Sequence, residues 1–307
     1  MKILQHTVSD KITFKGIGLH TGAEVKIDIL PAPEDTGISF VKKEKDQKYI
    51  IKATVENIVS TLAATTIGKN GTTISTVEHL MAALYGLEID NAIIVVNGPE
   101  IPALDGSAGV FVKKIKEVGL VQQQKPRHFI RILKTIQIED GDRYIRIEPY
   151  DNFAINVEIQ FAHSVIGKQQ YICNNITSEE FERNISKART FGFLSQVAEM
   201  RKNGLARGGS EKNAIVIGDS GILNSEGLRF KNEMARHKAL DLIGDFALLG
   251  GPLLAKITAR KNGHELHRKL MMKLINTDDA FKIISLESPF HIDNEWIWRD
   301  QAVAAVV

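Results

Sequence analysis

The first half of the chain alternates between apolar and polar positions in patterns that predict both strands and helices. Strict alternation over residues 24–30 predicts a half-buried strand, and the apolar run at residues 92–96 predicts a fully buried one. Between them, the apolar positions of residues 77–85 recur with helical spacing. Thr76 can cap the start of this helix, and Gly86 can end it.

The second half repeats this order of strands, a helix, a glycine stop and a further strand. Strands are predicted over residues 128–139, 143–149, 156–161 and 253–258. Helices of this half are predicted over residues 178–188 with Ser178 as cap and over 230–249 with Gly250 and Gly251 as the stop. The first half has a second predicted helix over residues 110–118, which ends at Gly119. The repeated order indicates a duplicated α+β unit.

One polar stretch separates the two halves. Residues 121–126 carry three successive glutamines and end in Pro126, a composition typical of a connection between domains. We therefore predict an N-terminal α+β domain over residues 1–125 and a C-terminal α+β domain over residues 126–307.

Composition excludes several classes of protein. Hydrophobic residues make up 43% and charged residues 25%, as in ordinary globular proteins. The single cysteine, Cys173, excludes an internal disulfide and a thiolate-rich metal site, so a metal here would need His, Asp or Glu ligands. The absence of a signal-peptide pattern and of any run of 18 apolar residues predicts a cytoplasmic protein without an integral membrane segment.

The charge distribution is informative only locally, because the net charge of the whole chain is +2. Residues 229–273 hold ten Lys and Arg against four Asp and Glu. This segment either binds an anionic ligand or forms a solvated helix face. No zinc finger or basic–aromatic repeat occurs, so no nucleic-acid partner is expected.

Two predicted helices offer side chains suited to a metal. His237 and Asp241 are four residues apart and share a helical face, so both can converge on zinc. On the first helix His79 offers a further nitrogen, and Glu78 stands where a metal-activated water would need its general base. Each pair could instead be a charged, solvent-exposed helix surface.

His264 is a candidate proton donor, predicted on a loop after a strand. Asp245, one turn beyond Asp241, could hold and charge it, whereas His267 is expected to be a bystander. Two nitrogens and one carboxylate match the three protein ligands of a catalytic zinc, which keeps one position for water.

Several motifs occur in the order found in one enzyme family. They are GIGLHTG at residues 16–22, STVEHL at 75–80, IDN at 89–91, NGPEIP at 97–102, LDGS at 104–107, ARTFG at 188–192 and RHK at 236–238, followed by Asp241 and Asp245. From about residue 3 to residue 275 the chain resembles the UDP-3-O-acyl-N-acetylglucosamine deacetylases. These zinc enzymes catalyse the committed step of lipid A biosynthesis in Gram-negative bacteria.

The resemblance implies an α+β fold of two similar domains, each a β-sheet with two helices, with the helices sandwiched between the sheets. It implies an active site at the domain junction. It also implies a monomeric enzyme that uses Zn²⁺ and hydrolyses the N-acetyl group of a UDP-linked acylated amino sugar, releasing acetate.

The same resemblance implies a role for each candidate residue. The metal ligands would be His79, His237 and Asp241. The catalytic residues would be Glu78 as general base, His264 as general acid, Asp245 beside it, and Thr190 as hydroxyl donor to the oxyanion.

The implied substrate contacts extend from the nucleotide to the fatty acid. Lys238 and Lys261 would meet the diphosphate, and Phe161 would stack on uracil with Arg143 nearby. An insert at about residues 191–223, with Phe191 and Phe193, would form the acyl tunnel, and Leu19 of the first motif would join the substrate contacts.

Two other functions stay open at this point. One is a zinc amidohydrolase acting on a different acylated amino sugar, because the residues of the acyl tunnel could instead be plain core. The other is a non-catalytic nucleotide-sugar binding protein. Glu78 argues against this alternative, because binding alone needs no base beside the zinc.

Overall fold

The computed structural model describes residues 2–44 and 47–285. Residues 286–307 of the predicted C-terminal domain lie outside this described part of the chain. The described residues form helices and several β-sheets, which confirms the predicted α+β class.

The secondary structure consists of many short strands and a few helices. The strands are β1 (Leu4–Val8), β2 (Ile12–Ile17), β3 (Glu24–Pro31), β4 (Ile38–Glu44), β5 (Gln47–Lys52), β6 (Ile58–Ser60), β7 (Thr66–Lys69), β8 (Thr72–Ile74), β9 (Ala92–Asn97), β10 (Leu120–Pro126), β11 (His128–Ile132), β12 (Ile136–Asp140), β13 (Arg143–Pro149), β14 (Phe153–Gln160), β15 (Lys168–Cys173), β16 (Phe191–Phe193), β17 (Ile215–Ile217), β18 (Leu253–Arg260) and β19 (Phe281–Ser285). The α-helices are α1 (Glu78–Gly86), α2 (Gly109–Val118), α3 (Ser178–Asn184), α4 (Leu194–Lys202), α5 (Glu233–Phe246) and α6 (His264–Ile275). Short 3₁₀ turns lie at Val55–Asn57 and Ala247–Leu249.

A five-stranded sheet in the first half has the order β2-β3-β9-β4-β5. Only β4 and β9 run parallel, and the other neighbours are antiparallel. In β3, Val25, Ile27 and Ile29 are buried and the residues between them are not, as the alternation predicts. The apolar strand β9 is buried at four of its six positions. One face of this sheet therefore packs on the core.

A seven-stranded sheet in the second half is built around β18. β13 pairs antiparallel with β18, and β14 and β11 each pair parallel with it, β14 along Ala255–Arg260 and β11 at Leu253 and Leu254. The outer strands β12, β15 and β19 each add antiparallel to β13, β14 and β11. The carboxyl end of β18 leads directly into the loop before α6.

Helices α1 and α5 pack closely against each other and are buried along nearly their whole lengths. Gly244 of α5 lies so close to α1 that a Cβ there would overlap the carbonyl group of Glu78. A glycine is required for this approach. Helix α5 also packs on β14, β15 and α6. The described second half also contains the shorter helices α3 and α4. The division into two similar domains with sandwiched helices stays a prediction.

Two helix starts differ from the sequence prediction. Val77 is the residue before α1, while Thr76 adopts a positive φ of 57° and donates its hydroxyl to Glu100 Oε1 at 2.8 Å. Thr177 caps α3 instead of Ser178, because its Oγ1 accepts the backbone N–H of Glu180 at 3.1 Å.

The polar stretch at residues 121–126 is a paired strand and not a free connection. It forms most of β10, which runs antiparallel to β1. Its glutamines and lysine suit a two-stranded ribbon with one face in solvent. The placement of a domain boundary here stays a prediction.

The predicted insert at about residues 191–223 contains β16, α4 and β17, with β16 and β17 paired in parallel. No residue of α4 is buried, so this helix stands on the surface. Across the described residues, none of the helices combines the length and apolar character that crossing a membrane would require.

Candidate active site

Three possible metal ligands come together where α1 meets α5. His79 Nε2 lies 3.5 Å from Asp241 Oδ1, and His237 Nε2 lies 3.3 Å from the same oxygen. The ligand atoms of the three residues lie within 4.8 Å of one another, and all three side chains are buried. A zinc ion with bonds of about 2.0–2.2 Å would fit between atoms spaced in this way.

The hydrogen bonding of Asp241 is the strongest indication that this site binds a cation. Its Oδ2 accepts a hydrogen bond from Lys238 Nζ at 2.7 Å, but its buried Oδ1 has no hydrogen-bond partner among the described residues. Leaving a buried carboxylate oxygen unpaired costs about 1–3 kcal/mol or more. A metal at this oxygen would remove that cost, so the residues fit a bound cation.

His237 is prepared to act as a neutral ligand. Its Nδ1 donates to the Ala188 carbonyl at 3.1 Å, which leaves the Nε2 lone pair facing Asp241 and His79. Burial, together with the charges of His79 and Lys238, lowers the pKa of His237 to about 3 despite the nearby Asp241. The imidazole therefore stays unprotonated at neutral pH.

Glu78 lies beside the three ligands and is itself buried. Its Oε2 accepts the backbone N–H of Thr65 at 3.1 Å, and its Oε1 lies 3.9 Å from His264 Nε2. Burial is the main reason that the pKa of Glu78 is raised above its usual range. A carboxylate of raised pKa is suited to accept a proton near neutral pH.

Asp245 is the centre of a second, hydrogen-bonded group. Its Oδ1 accepts the Thr65 hydroxyl at 2.6 Å, and its Oδ2 accepts from His264 Nδ1 at 2.7 Å and from His267 Nδ1 at 2.6 Å. The two histidines and Asp245 could also surround an ion. However, both Nδ1 atoms stand at hydrogen-bond distance from one oxygen, and this geometry favours donation.

The position of His264 corrects the sequence prediction. It is the first residue of α6, half-buried and in contact with Asp245, whereas the sequence pattern predicted a loop. Burial alone would lower the pKa of His264, but the Asp245 carboxylate outweighs this effect and raises the pKa to about 9. His264 is therefore protonated at neutral pH, with Nε2 directed towards Glu78.

A cavity of about 350 Å³ connects these groups. Its polar end is lined by the side chains of Glu78, His79, Thr190, His237, Lys238, Asp241 and His264. The other end is lined mainly by apolar residues, among them Leu19, Phe191, Leu194, Val197, Met200, Ile215 and Leu223. We call this apolar end of the cavity the apolar arm. Most of its residues come from the insert at about residues 191–223.

Four predicted substrate contacts lie outside the lining of this cavity. Phe161 packs on Phe191 and Phe193, with ring centroids 5.8 and 5.6 Å apart. Lys261 forms an ion pair with Asp142, and Arg143 bonds to Asp140 and Glu265 at 3.3 and 3.4 Å. Phe161 and Phe193 thus adjoin the cavity through Phe191, while Lys261 and Arg143 form ion pairs outside it.

Comparison with known proteins identifies the family of this site. Residues 5–276 match the family described as UDP-3-O-acyl N-acetylglycosamine deacetylase. The chain belongs to this deacetylase family. A protein of Geobacter sp. (strain M21) is 42% identical over 295 residues, covering 94% of this chain and 96% of its own length. Relatives from Pseudomonas entomophila (strain L48) and Myxococcus xanthus (strain DK1622) are 41% and 42% identical, over 93% and 91% of this chain and 94% and 89% of their own. All three are named UDP-3-O-acyl-N-acetylglucosamine deacetylase.

Several polar groups of this deacetylase-family site are not evident from the sequence alone. Buried Glu100 accepts the backbone N–H groups of His20 and Thr21 at 3.0 and 2.9 Å, besides the Thr76 hydroxyl. It thereby ties the 16–22 segment, whose His20 lines the cavity, to the start of α1. The only signal in the sequence was that these residues fall inside the motifs.

Arg189 supports the other side of the site. Its side chain is fully buried, and its Nε donates to Glu233 Oε1 at 2.8 Å. The backbone N–H of Arg189 donates to the same carboxylate at 3.1 Å. This arrangement fixes the backbone around the Ala188 carbonyl, which receives the His237 hydrogen bond, and around Thr190.

Proposed function

We propose that the chain hydrolyses the N-acetyl group of UDP-3-O-acyl-N-acetylglucosamine, giving acetate and the free amine, as the names of its relatives suggest. The observation that supports this most directly is Asp241 Oδ1, which lies between His79 and His237 and has no hydrogen-bond partner in the part of the chain that the structure describes. It stands at the polar end of a cavity whose other end suits a fatty acyl chain.

We propose zinc as the metal, held by His79, His237 and Asp241. Two imidazole nitrogens and one carboxylate oxygen form the ligand set that a catalytic zinc uses. When bound, the ion would lower the pKa of a water molecule and polarise the acetamide carbonyl group.

Glu78 is the proposed general base. Its buried carboxylate adjoins His79 in sequence and faces the cavity, so it can take a proton from water attacking the amide. The raised pKa of Glu78 supports this role, because a stronger base removes the proton more readily.

His264 is the proposed general acid and Thr190 the proposed oxyanion donor. Asp245 holds the Nδ1 of His264, so the protonated Nε2 is free to give its proton to the leaving amine. Thr190 lines the same end of the cavity, where its hydroxyl can donate to the oxygen on which negative charge develops.

The proposed substrate would lie along the cavity with its acyl chain in the apolar arm. Leu19 and Phe191, which line the cavity, would contact the acyl chain and the sugar, and Phe193 would contact them only if the substrate extends beyond the lining. Lys238 would meet the diphosphate from inside the cavity. Lys261, Arg143 and Phe161 would contact diphosphate and uridine only if the nucleotide extends beyond the cavity lining.

The proposal includes a monomer in the cytoplasm. Every residue assigned to the reaction comes from one chain, and the single cysteine fits a reducing compartment. Size-exclusion chromatography with light scattering would give the mass of the active species and so test the monomer.

The decisive experiment measures acetate release from UDP-3-O-acyl-N-acetylglucosamine. We expect turnover that a chelator abolishes and added zinc restores, with about one metal per chain. UDP-N-acetylglucosamine without the acyl chain is the matched control, and it should react much more slowly. No acetate from protein fully loaded with zinc would contradict the proposal and favour a different acylated amino sugar.

A further inference from the structure

His267 is a fully buried histidine to which the proposed reaction assigns no part. Both of its ring nitrogens have partners. Nδ1 lies 2.6 Å from Asp245 Oδ2, and Nε2 lies 2.8 Å from the amide nitrogen of Asn262. The ring therefore connects the loop before α6 to the carboxylate that holds His264.

We propose that His267 is a positioning residue, which acts through Asp245 to keep the His264 side chain directed at the reacting amide. This inference rests on the proposed deacetylation, because His264 matters only if it delivers a proton. His267 itself does not line the cavity and would not contact the substrate.

The hydrogen-bond partners of His267 define its tautomer. Asn262 Nδ2 can only donate, so His267 Nε2 accepts and its single proton sits on Nδ1, facing Asp245. If the Asn262 side-chain oxygen faced Nε2 instead, both ring nitrogens of His267 would have to carry protons. Burial disfavours this charged ring because it lowers the pKa of His267. Asn262 thus sets the direction in which His267 donates.

The donation from His267 limits how Asp245 can move. The hydroxyl of Thr65 holds Oδ1, while His264 and His267 share Oδ2. His264 and His267 are one turn apart on α6, so they approach this oxygen from a single rigid element. Without His267, the carboxylate could rotate about its bond to Cβ and carry His264 with it.

Among the described residues, the other charged groups that act on Asp245 or His264 do not replace this donor. Lys238, a cation whose charge acts on Asp245, already donates to Asp241 Oδ2 at 2.7 Å. Glu78 on α1 and Asp241 on α5 are the acidic groups that act on His264, and neither can donate a hydrogen bond when ionised. Thr65 is already committed to Oδ1. Among the described residues, His267 is thus the one neutral ring that donates to Oδ2.

Two substitutions at position 267 separate its two hydrogen bonds. In His267→Asn, the side-chain amide nitrogen takes the place of Nδ1 and can still donate to Asp245. In His267→Gln, the longer side chain takes the place of Nε2, which keeps a partner for Asn262 and leaves Asp245 without its donor. His267→Leu removes both hydrogen bonds while filling a similar volume.

We expect kcat for acetate release to fall about 10- to 100-fold in His267→Gln and His267→Leu, and to stay within about threefold in His267→Asn. KM and the metal content should be unchanged in all three, because the cavity and the metal ligands are untouched. Thermal unfolding curves identify any variant that fails to fold, and His267→Asn and His267→Gln are compared only if both fold.

Equal losses in His267→Asn and His267→Gln would overturn the proposal, since they would show a purely structural role. Full activity in His267→Leu would overturn it as well. ¹⁵N NMR of labelled histidines tests the tautomer without any substrate: we expect a protonated Nδ1 and an unprotonated Nε2 for His267. If wild-type protein releases no acetate while this tautomer is observed, the proposed function fails and the hydrogen-bond arrangement stands.

Discussion

At the scale of single residues, Asp241 Oδ1 has no hydrogen-bond partner within residues 2–44 and 47–285, and this distinguishes a metal site from a buried ion pair. Lys238 donates a hydrogen bond to Oδ2. If the site were only this ion pair, the buried Oδ1 would have no compensating positive charge. The two histidines present nitrogens to Oδ1 at 3.3 and 3.5 Å, too far for strong hydrogen bonds but well placed for a shared cation.

Replacing this carboxylate should therefore remove the metal. Asp241→Asn leaves the shape of the side chain but not its charge, and we expect metal content to fall from about one per chain to a small fraction of that. Metal analysis of the purified protein measures this. Asp219→Asn, at an exposed position, is the matched control and should keep its metal; full occupancy in Asp241→Asn would show that the ligand set is different.

The proposed base allows a separate test, because Glu78 is not one of the three ligands. We expect Glu78→Gln to fold and to keep its metal, while kcat falls by about 10²–10⁴-fold, the usual contribution of a positioned base. The exposed Glu117→Gln serves as control. Turnover at the wild-type rate would remove Glu78 from the mechanism.

The pH dependence should report His264. The proposed acid works in its protonated form, so activity is present below its pKa and is lost as the pH rises through about 9. Asp245→Asn removes the charge that raises this pKa, and burial then lowers it, so the alkaline limb of the pH–rate profile should move to lower pH. A limb that stays in place in this variant would mean that another group titrates.

At the scale of secondary structure elements, the site depends on how closely α1 approaches α5. His79 and the pair His237–Asp241 lie on different helices, and the glycine at position 244 permits the contact between them. The distance between metal ligands is therefore set by backbone packing and not by the ligand side chains alone.

A methyl group at this contact should separate the helices. We expect Gly244→Ala to lower the free energy of unfolding by about 1–3 kcal/mol and to weaken metal binding, because a Cβ there would overlap the Glu78 carbonyl. Urea denaturation followed by metal analysis tests both effects. At Gly221, where a Cβ would meet no atom of the described residues within 4 Å, the same substitution should change little.

Periodicity predicted the elements that carry the ligands but not the contacts between them. The alternation of β3 follows from burial of one face of its sheet, and the many apolar positions of α1 and α5 follow from the burial of these helices; a sequence displays both directly. The pairing of β10 with β1 joins residues more than a hundred positions apart, and the polar composition of β10 concealed it. In the same way, His264 looked like a loop residue because Gly263 precedes it, although it begins a helix.

At the scale of the whole molecule, the cavity joins segments from distant parts of the sequence. Leu19 comes from the first motif, the metal ligands come from α1 and α5, and the apolar arm comes from the insert. The motifs predicted which residues would matter. The roles of Glu100, Arg189 and His267 could not be predicted, because each supports another residue through hydrogen bonds that only the fold reveals.

The apolar arm should set the length of acyl chain that the protein accepts. Val197→Phe narrows the arm, so we expect kcat/KM to fall more for substrates with long acyl chains than for those with short ones. Competition between substrates of two chain lengths measures this ratio. An equal loss for both lengths would place the acyl chain elsewhere.

The pairing of β1 with β10 also has a consequence for how the chain folds during its synthesis. Leu4–Val8 leaves the ribosome well before its partner Leu120–Pro126, which is made more than a hundred residues later. Until then the first strand has an unsatisfied edge, and closing so long a loop is entropically costly and slow. The nascent N-terminal half can thus complete its hydrogen bonding only after β10, whose sequence resembles a linker, has been translated.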